Sequence, residues 1–510
     1  MRTPSDDAKP VFHVGNLVYT RKGLLALFFW LLWFDFCFSL METVLAPIIA
    51  FRLKNDLRAD SFLFTLFVAT IPSIVNFVLN PIISIKSDRH RGPRGRRIPF
   101  LLYGAPLVCG CLVLLGFGNE IAAWVQGSFA SGHSLDSVTI WTFGLLFLVF
   151  SISNMFLATT FYYLFNDVVP ESLFVKFMAY MRMAGALAGM VYGWFIFSYS
   201  NKWGPLHVDL GFIHYHNERF WYPKLILVGA AVLYTFASTI ALLKIKEPDY
   251  PPPSPLGEGT GTIASAMMTI RTIVRECFCH RFYVIYFITM MMNWMTYQMS
   301  QFSNPMRLDL GMDLATLGKI SAVTALIGMV LTFVAANYGD RFRPLPLMVF
   351  SMVLVVAVSP LSLLFLIPGL SPATYLHIQI ALSFIGLPIS VVVGMAEGPL
   401  AMSLLPRDRF GQFSAAQSMM RMILPGIFGS MLAGWLMRVL EHHQGTYAWR
   451  YCVVWNGTFQ ALTLVCYCWL YREWKRLGGK ASFTPPPVGR SRASAVRIMD
   501  VENPGLAGVK

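Results

Sequence analysis

The run GLLALFFWLLWFDFCFSLMETVLAPIIA, beginning at Gly23, exceeds the roughly 20 apolar residues that cross a hydrocarbon core of about 30 Å. Comparable segments recur along the chain, centred on residues 23–50, 60–85, 98–118, 138–165, 174–199, 221–243, 281–303, 313–336, 345–368, 373–399, 411–437 and 449–471. The reading is an all-α membrane protein of twelve transmembrane helices. Composition agrees, since 56% of the 510 residues are hydrophobic and 13% charged, which would leave a water-soluble domain with an apolar surface.

The basic residues alternate between loops instead of forming one stripe, so the net charge of +14 does not point to nucleic acid. With the N-terminus inside, roughly 28 of the 40 Lys and Arg fall in inside segments and about 9 outside, the asymmetry expected of cytoplasmic loops. An even number of spans then puts both termini in the cytoplasm, with the protein in the plasma (inner) membrane. Five regions are expected: a cytoplasmic segment 1–22, an N-terminal six-helix bundle 23–243, a Pro- and Gly-rich cytoplasmic linker 244–280, a C-terminal six-helix bundle 281–471 and a disordered cytoplasmic tail 472–510.

Most of the eight cysteines lie inside apolar segments and imply no disulfide framework. The run Cys277-Phe278-Cys279-His280 falls short of a zinc set, and His207, Asp209, His214, His216 and Glu218 read as a solvated loop. No metal and no cofactor are expected. The halves look like copies: KSDRHRGP after helix 2 matches YGDRFRPL after helix 8, and PESLFVKF before helix 5 matches PRDRFGQF before helix 11. A longer loop at 119–137 in the first copy accounts for their different offsets. Repeated halves around a central site are the architecture of alternating access.

Six charged residues interrupt the apolar segments, and each should face protein or water, because an ion in the bilayer costs at least about 2.5–3.5 kcal/mol. Lys319 and Glu397 lie near helix ends and are expected to serve structure. Asp35 lies deeper, and Glu42, seven residues on, returns to nearly the same face, so both can address one aqueous cavity. Arg182 shares its face with Gly185, Gly189 and Gly193, a ridge that admits another backbone, and Asp35 is its most economical counter-ion. Arg421 either binds substrate or balances Glu42. Ser73, Asn76, Asn80 and Ser84 form a polar stripe that either lines a pathway or joins helices. Asn154 and Tyr162 in helix 4, and Asn293, Trp294, Tyr297 and Gln298 in helix 7, set polar groups beside aromatics, which suits a sugar-like ligand; interhelical packing is the alternative.

The sequence NPIISIKSDRHRGPRGRRIPFLLYG, from Asn80 to Gly104, resembles the helix 2 to helix 3 junction of the major facilitator superfamily. Its Asp-Arg followed by Gly-Arg-Arg-x-Pro-Phe is most similar to the glycoside-pentoside-hexuronide cation symporters of the melibiose-permease and sucrose-transporter type. The resemblance implies a 6+6 fold in which Asp88, Arg89, Gly95, Arg96 and Arg97, with Asp340 and Arg341 in the second copy, serve conformational switching by pairing across the cytoplasmic ends of the halves. It also implies substrate contact at Asp35, Arg182 and Arg421. Two helix 2 carboxylates that bind the cation in that family align with Asn76 and Asn80, which disfavours sodium. A coupling proton through Asp35 or Glu42, or uncoupled transport, stays open. The expectation is a monomeric secondary transporter, surrounded by membrane lipid and no enzyme, moving a small polar solute such as a sugar or glycoside. An amphiphile or lysolipid carrier, or a non-transporting sensor on the same fold, is the alternative.

Overall fold

The computed structural model describes residues 12–249, 277–339, 343–406 and 410–486, apart from 15, 171–172, 203–204, 210–213 and 279. Among these residues twelve helices form the bundle: α1 (residues 21–56), α2 (61–89), α3 (Ile98–Gly116), α4 (Leu135–Val168), α5 (174–199), α6 (Tyr222–Lys244), α7 (281–309), α8 (Leu314–Gly339), α9 (Pro344–Leu366), α10 (Pro372–Leu404), α11 (410–444) and α12 (Cys452–Arg476). Nine described stretches are long and apolar enough to cross a membrane. The last, Gln412–Arg476, takes in both α11 and α12, and α5 and α7 complete the twelve. α7 tightens to 3-10 geometry over Thr296–Phe302, and α11 widens to π geometry over Met422–Gly429, where Pro425 lacks the N–H an α-helix needs.

The internal repeat is written in the packing. α1 packs on α5 and α6, α3 on α4 and α6, and α2 on α4. Each of these pairs has its mate six helices later: α7 on α11 and α12, α9 on α10 and α12, and α8 on α10. The halves meet through α2 with α11 and α5 with α8, which the same operation exchanges.

Their polar seam lies at the end opposite the described chain ends. Lys54 is buried there and donates to Glu441 Oε1 (2.8 Å), Ser61 Oγ (2.8 Å) and the Ala59 carbonyl (2.7 Å). Gln301 Nε2 donates to Thr65 Oγ1 (2.9 Å), the Thr70 and Ser430 hydroxyls meet at 2.7 Å, and Arg438 pairs with Asp60 (3.0 Å). α5 and α8 approach so closely that a methyl on Gly193 or Gly318 would collide with the other's carbonyl oxygen. The glycine ridge read from the sequence is used in this way at Gly193; Gly189 has nothing within 4 Å.

Two segments differ from the sequence reading. The stretch after α3 forms a helix, Gly118–Phe129, because Ala122 and Gly118 bury against the bundle. Residues 472–486, assigned to a disordered tail, continue α12 to Arg476 and then fold back: Phe483 lies 5.5 Å from Phe282, and Tyr283 donates to the Pro486 carbonyl (2.6 Å). In the segment ahead of α1, Phe12–Val14 and Leu17–Tyr19 pair as antiparallel strands. Most of the linker, 250–276, and residues 487–510 lie outside the described residues.

Candidate functional site

α1 is wedged between α5 and α6, which buries Asp35 to 4% exposure. Asp35 makes no hydrogen bond among the described residues, and the charge that acts on it is that of Glu42, two turns along the same face. Glu42 is exposed although it lies mid-span, and its Oε1 accepts from Asn154 Nδ2 of α4 (2.7 Å). Tyr162, two turns beyond Asn154, is 48% exposed and within electrostatic reach of both carboxylates. Four of the expected residues, Asp35, Glu42, Asn154 and Tyr162, therefore form one cluster on α1 and α4.

The mates of these helices carry a second cluster. The Arg421 guanidinium of α11 lies 4.5 Å over the Trp294 ring of α7, a cation–π contact, and within reach of the Glu397 carboxylate of α10. Glu397 also acts on Tyr297 and Tyr286, and Tyr286 donates to Gln417 Oε1 of α11 (2.9 Å). The sequence reading gave Glu397 a structural place at its helix end. In the structure it is the acid of this cluster, and the signal for it was its being the one carboxylate in the apolar run of α10. Gln298 donates to the Trp294 carbonyl (3.1 Å), and Asn293 lines a cavity inside the C-terminal bundle.

Arg182 does not pair with Asp35. It is exposed on α5 and makes no hydrogen bond or ion pair among the described residues. In the stripe on α2, Ser73 packs on α11, where a methyl at Gly426 would sit 2.9 Å from its hydroxyl, so this end joins the halves. The side-chain oxygens of Asn76 and Asn80 are buried without a partner.

The Arg-rich turn after α2 pairs with acids of its own half. Gly95 adopts φ 98° and donates to the Gly92 carbonyl (3.1 Å), closing a tight turn that aims the next residues at two acids. Arg96 forks onto Asp167 at the end of α4 (2.5 and 2.9 Å), and Arg97 adds a third bond (3.2 Å). Glu247, beyond α6, accepts from the backbone N–H groups of Arg96, Arg97 and Ile98 (2.6–2.8 Å), an anion on the N-terminus of α3. The side chains of Asp88 and Arg89, and all of Asp340 and Arg341, lie outside the described residues. A hollow of about 690 Å³ beside this turn, bounded by Leu242–Asp249, holds none of the cluster residues.

The sequence matches the Major Facilitator Superfamily over residues 31–430. The chain belongs to that superfamily. It is by family an integral, multi-pass membrane transport protein and not an enzyme. Solved structures agree on the fold. The nucleoside transporter NupG aligns over 88% of this chain and 99% of its own with TM-score 0.59 at 12% identity. A bacterial homologue of the human lysosomal transporter Spinster aligns over 90% and 99% with TM-score 0.59 at 11% identity, and a D-xylose–proton symporter over 87% and 97% with TM-score 0.57 at 11% identity. No curated protein sequence matches the chain.

Proposed function

We propose that this superfamily member is a secondary carrier for a small hydroxylated solute, of the sugar or glycoside class, and that the two clusters face one chamber between the halves. The observation that carries this reading is their symmetry. Asp35, Glu42, Asn154 and Tyr162 on α1 and α4 correspond to Trp294, Tyr297 and Glu397 on α7 and α10, and Arg182 on α5 to Arg421 on α11. Carboxylates and amides accept from or donate to hydroxyls, and the Trp294 and Tyr162 rings offer faces for C–H groups. The polar seam closing the end away from the termini supports a state open towards the termini, the cytoplasmic side in the orientation set by the positive charges.

A proton is the coupling ion this arrangement favours. The Glu42 carboxylate disfavours a negative charge on Asp35, no cation pairs with either among the described residues, and a proton bound by Asp35 removes that charge. Uptake of labelled sugars into proteoliposomes under an imposed pH gradient tests the reading. Gradient-driven accumulation should fail in Asp35→Asn while counterflow survives. No stimulation in either gradient direction removes proton coupling, and the absence of uptake or counterflow for any sugar removes the solute class.

A further inference from the structure

The repeat that relates the halves carries Lys54 at the end of α1 onto Arg307 at the end of α7, 253 residues later. The same offset relates Asp60 to Asp313, which begin α2 and α8. The two cations nonetheless have different surroundings. Lys54 faces Glu441, whereas Arg307 donates from Nε to Gln379 Oε1 (3.2 Å) and from Nη1 to Asn304 Oδ1 (3.2 Å), both neutral, and no carboxylate pairs with it among the described residues. Two of the five guanidinium N–H groups are thus used, by acceptors that supply no charge.

Arg307 opens on a cavity of about 500 Å³ bounded by α7, α9, α10 and α12, whose wall also carries Tyr297 and Glu397 of the C-terminal cluster. Its wall holds two further polar atoms without partners, Thr296 Oγ1 and Asn456 Oδ1, both buried. Beside them the Ser359 hydroxyl donates to Gln460 Oε1. Buried polar groups are nearly always paired, so a cation short of an anion and an amide oxygen short of a donor, on one wall, describe a missing partner. That partner brings negative charge to Arg307 and O–H groups to Asn456 and Thr296.

We propose that this cavity is a second binding site, inside the C-terminal bundle and separate from the Asp35–Glu42 cluster, for a small hydroxylated anion, a carboxylate or phosphate ester held by Arg307. A dissolved metabolite and the headgroup of an anionic glycerolipid both present this chemistry. The site adjoins the C-terminal cluster of the carrier reading through Tyr297 and Glu397, but it requires no transport, so a binding measurement tests it apart from uptake.

Thermal melts of the purified protein in phosphatidylcholine nanodiscs test it, with gluconate and glycerol 3-phosphate compared with sorbitol and glycerol at constant ionic strength. The acids should raise the melting temperature more than the neutral polyols do, and the difference should survive in Asp35→Asn. Arg307→Gln should weaken the response at least tenfold, while Arg182→Gln and Asp35→Asn keep it. If phosphatidylglycerol in the nanodisc suppresses the response, the lipid headgroup is the occupant; if the response persists, the occupant is the free solute. Without ligand, Arg307→Gln should melt no lower than wild type, because an amide retains neutral neighbours and removes an uncompensated charge. Equal stabilisation by neutral polyols, an undiminished response in Arg307→Gln, or a lowered melting temperature of that variant without ligand would each overturn the site.

Discussion

The two bundles share one helix-packing scheme and fill it differently. In the N-terminal bundle, Phe34 of α1 lies edge-on to Phe161 of α4 (4.2 Å) and stacked on Tyr234 of α6 (5.5 Å), all three fully or nearly fully buried. The mates of those helices, α7, α10 and α12, enclose the cavity with Arg307. Burial follows the same division: half of the most apolar stretch of α3 is buried, against 17% in its mate α9 and none in α10. Around these helices one copy of the repeat is therefore filled by aromatic rings, and the other keeps room. In a bilayer lipid replaces water as the outer solvent, so packing within a bundle rests on dispersion contacts, which a void forfeits.

The largest expected effect lies where the two bundles touch. Lys54→Met removes the ammonium from Glu441 and leaves a carboxylate in the seam, and breaking a buried pair costs about 3–5 kcal/mol. The closed end should open: spin labels at Arg58 and His443 should show a new, longer distance that wild type lacks. An unchanged distance would mean that the seam is held by apolar contacts such as Phe64 on Phe302, not by charge. Next is the contrast between cores. Phe34→Ala should cost about 3 kcal/mol because rings on two sides lose their partner, whereas Leu382→Ala, beside space that already exists, should cost clearly less. Equal costs in reversible unfolding would erase the distinction between a filled and a hollow bundle.

The fold was legible in the sequence because lipid enforces it: apolar length gives the spans, and the matched motifs after α2 and α8 give the repeat. Candidate site residues stood out in the sequence where charge lay deep inside an apolar run, as with Asp35 and Glu42. The partners were not. Arg182 and Asp35 are economical counter-ions on paper, yet they sit on different helices, and only packing decides which faces meet. The acids that meet Arg96 and Arg97 escaped notice for a related reason. Asp167 ends a helix and Glu247 lies in a loop, places where acids are common and unremarked, and the tight turn at Gly95 brings them together. The cavity was invisible because a void is a property of several helices at once and leaves no mark on any one of them.

The smallest expected effect isolates the seam from the helix cap. Asp60 and Asp313 hold the same post, capping the first turns of α2 and α8: Leu63 N–H reaches Asp60 at 3.0 Å, and Thr316 reaches Asp313 through its hydroxyl (2.6 Å) and N–H (2.9 Å). Replacing either by Ala should cost about 1 kcal/mol as a lost cap. Hydrogen bonds from Thr316 hold the Asp313 carboxyl below the usual carboxylate range. Its stabilisation is therefore complete above the unfolded-state value near 3.9 and disappears as the pH falls through the lower folded value, so Asp313→Ala should differ from wild type at neutral pH and converge with it in acid. Asp60 does one thing more, since it pairs across the seam with Arg438; both side chains are exposed, so the added contribution is at most about 1 kcal/mol. Asp60→Ala should consequently cost slightly more than Asp313→Ala in dilute buffer and the same in high salt, where the exposed pair is screened and the cap is not. An excess that survives salt would place the Asp60 contribution in the cap and leave Arg438 no part in holding the halves together.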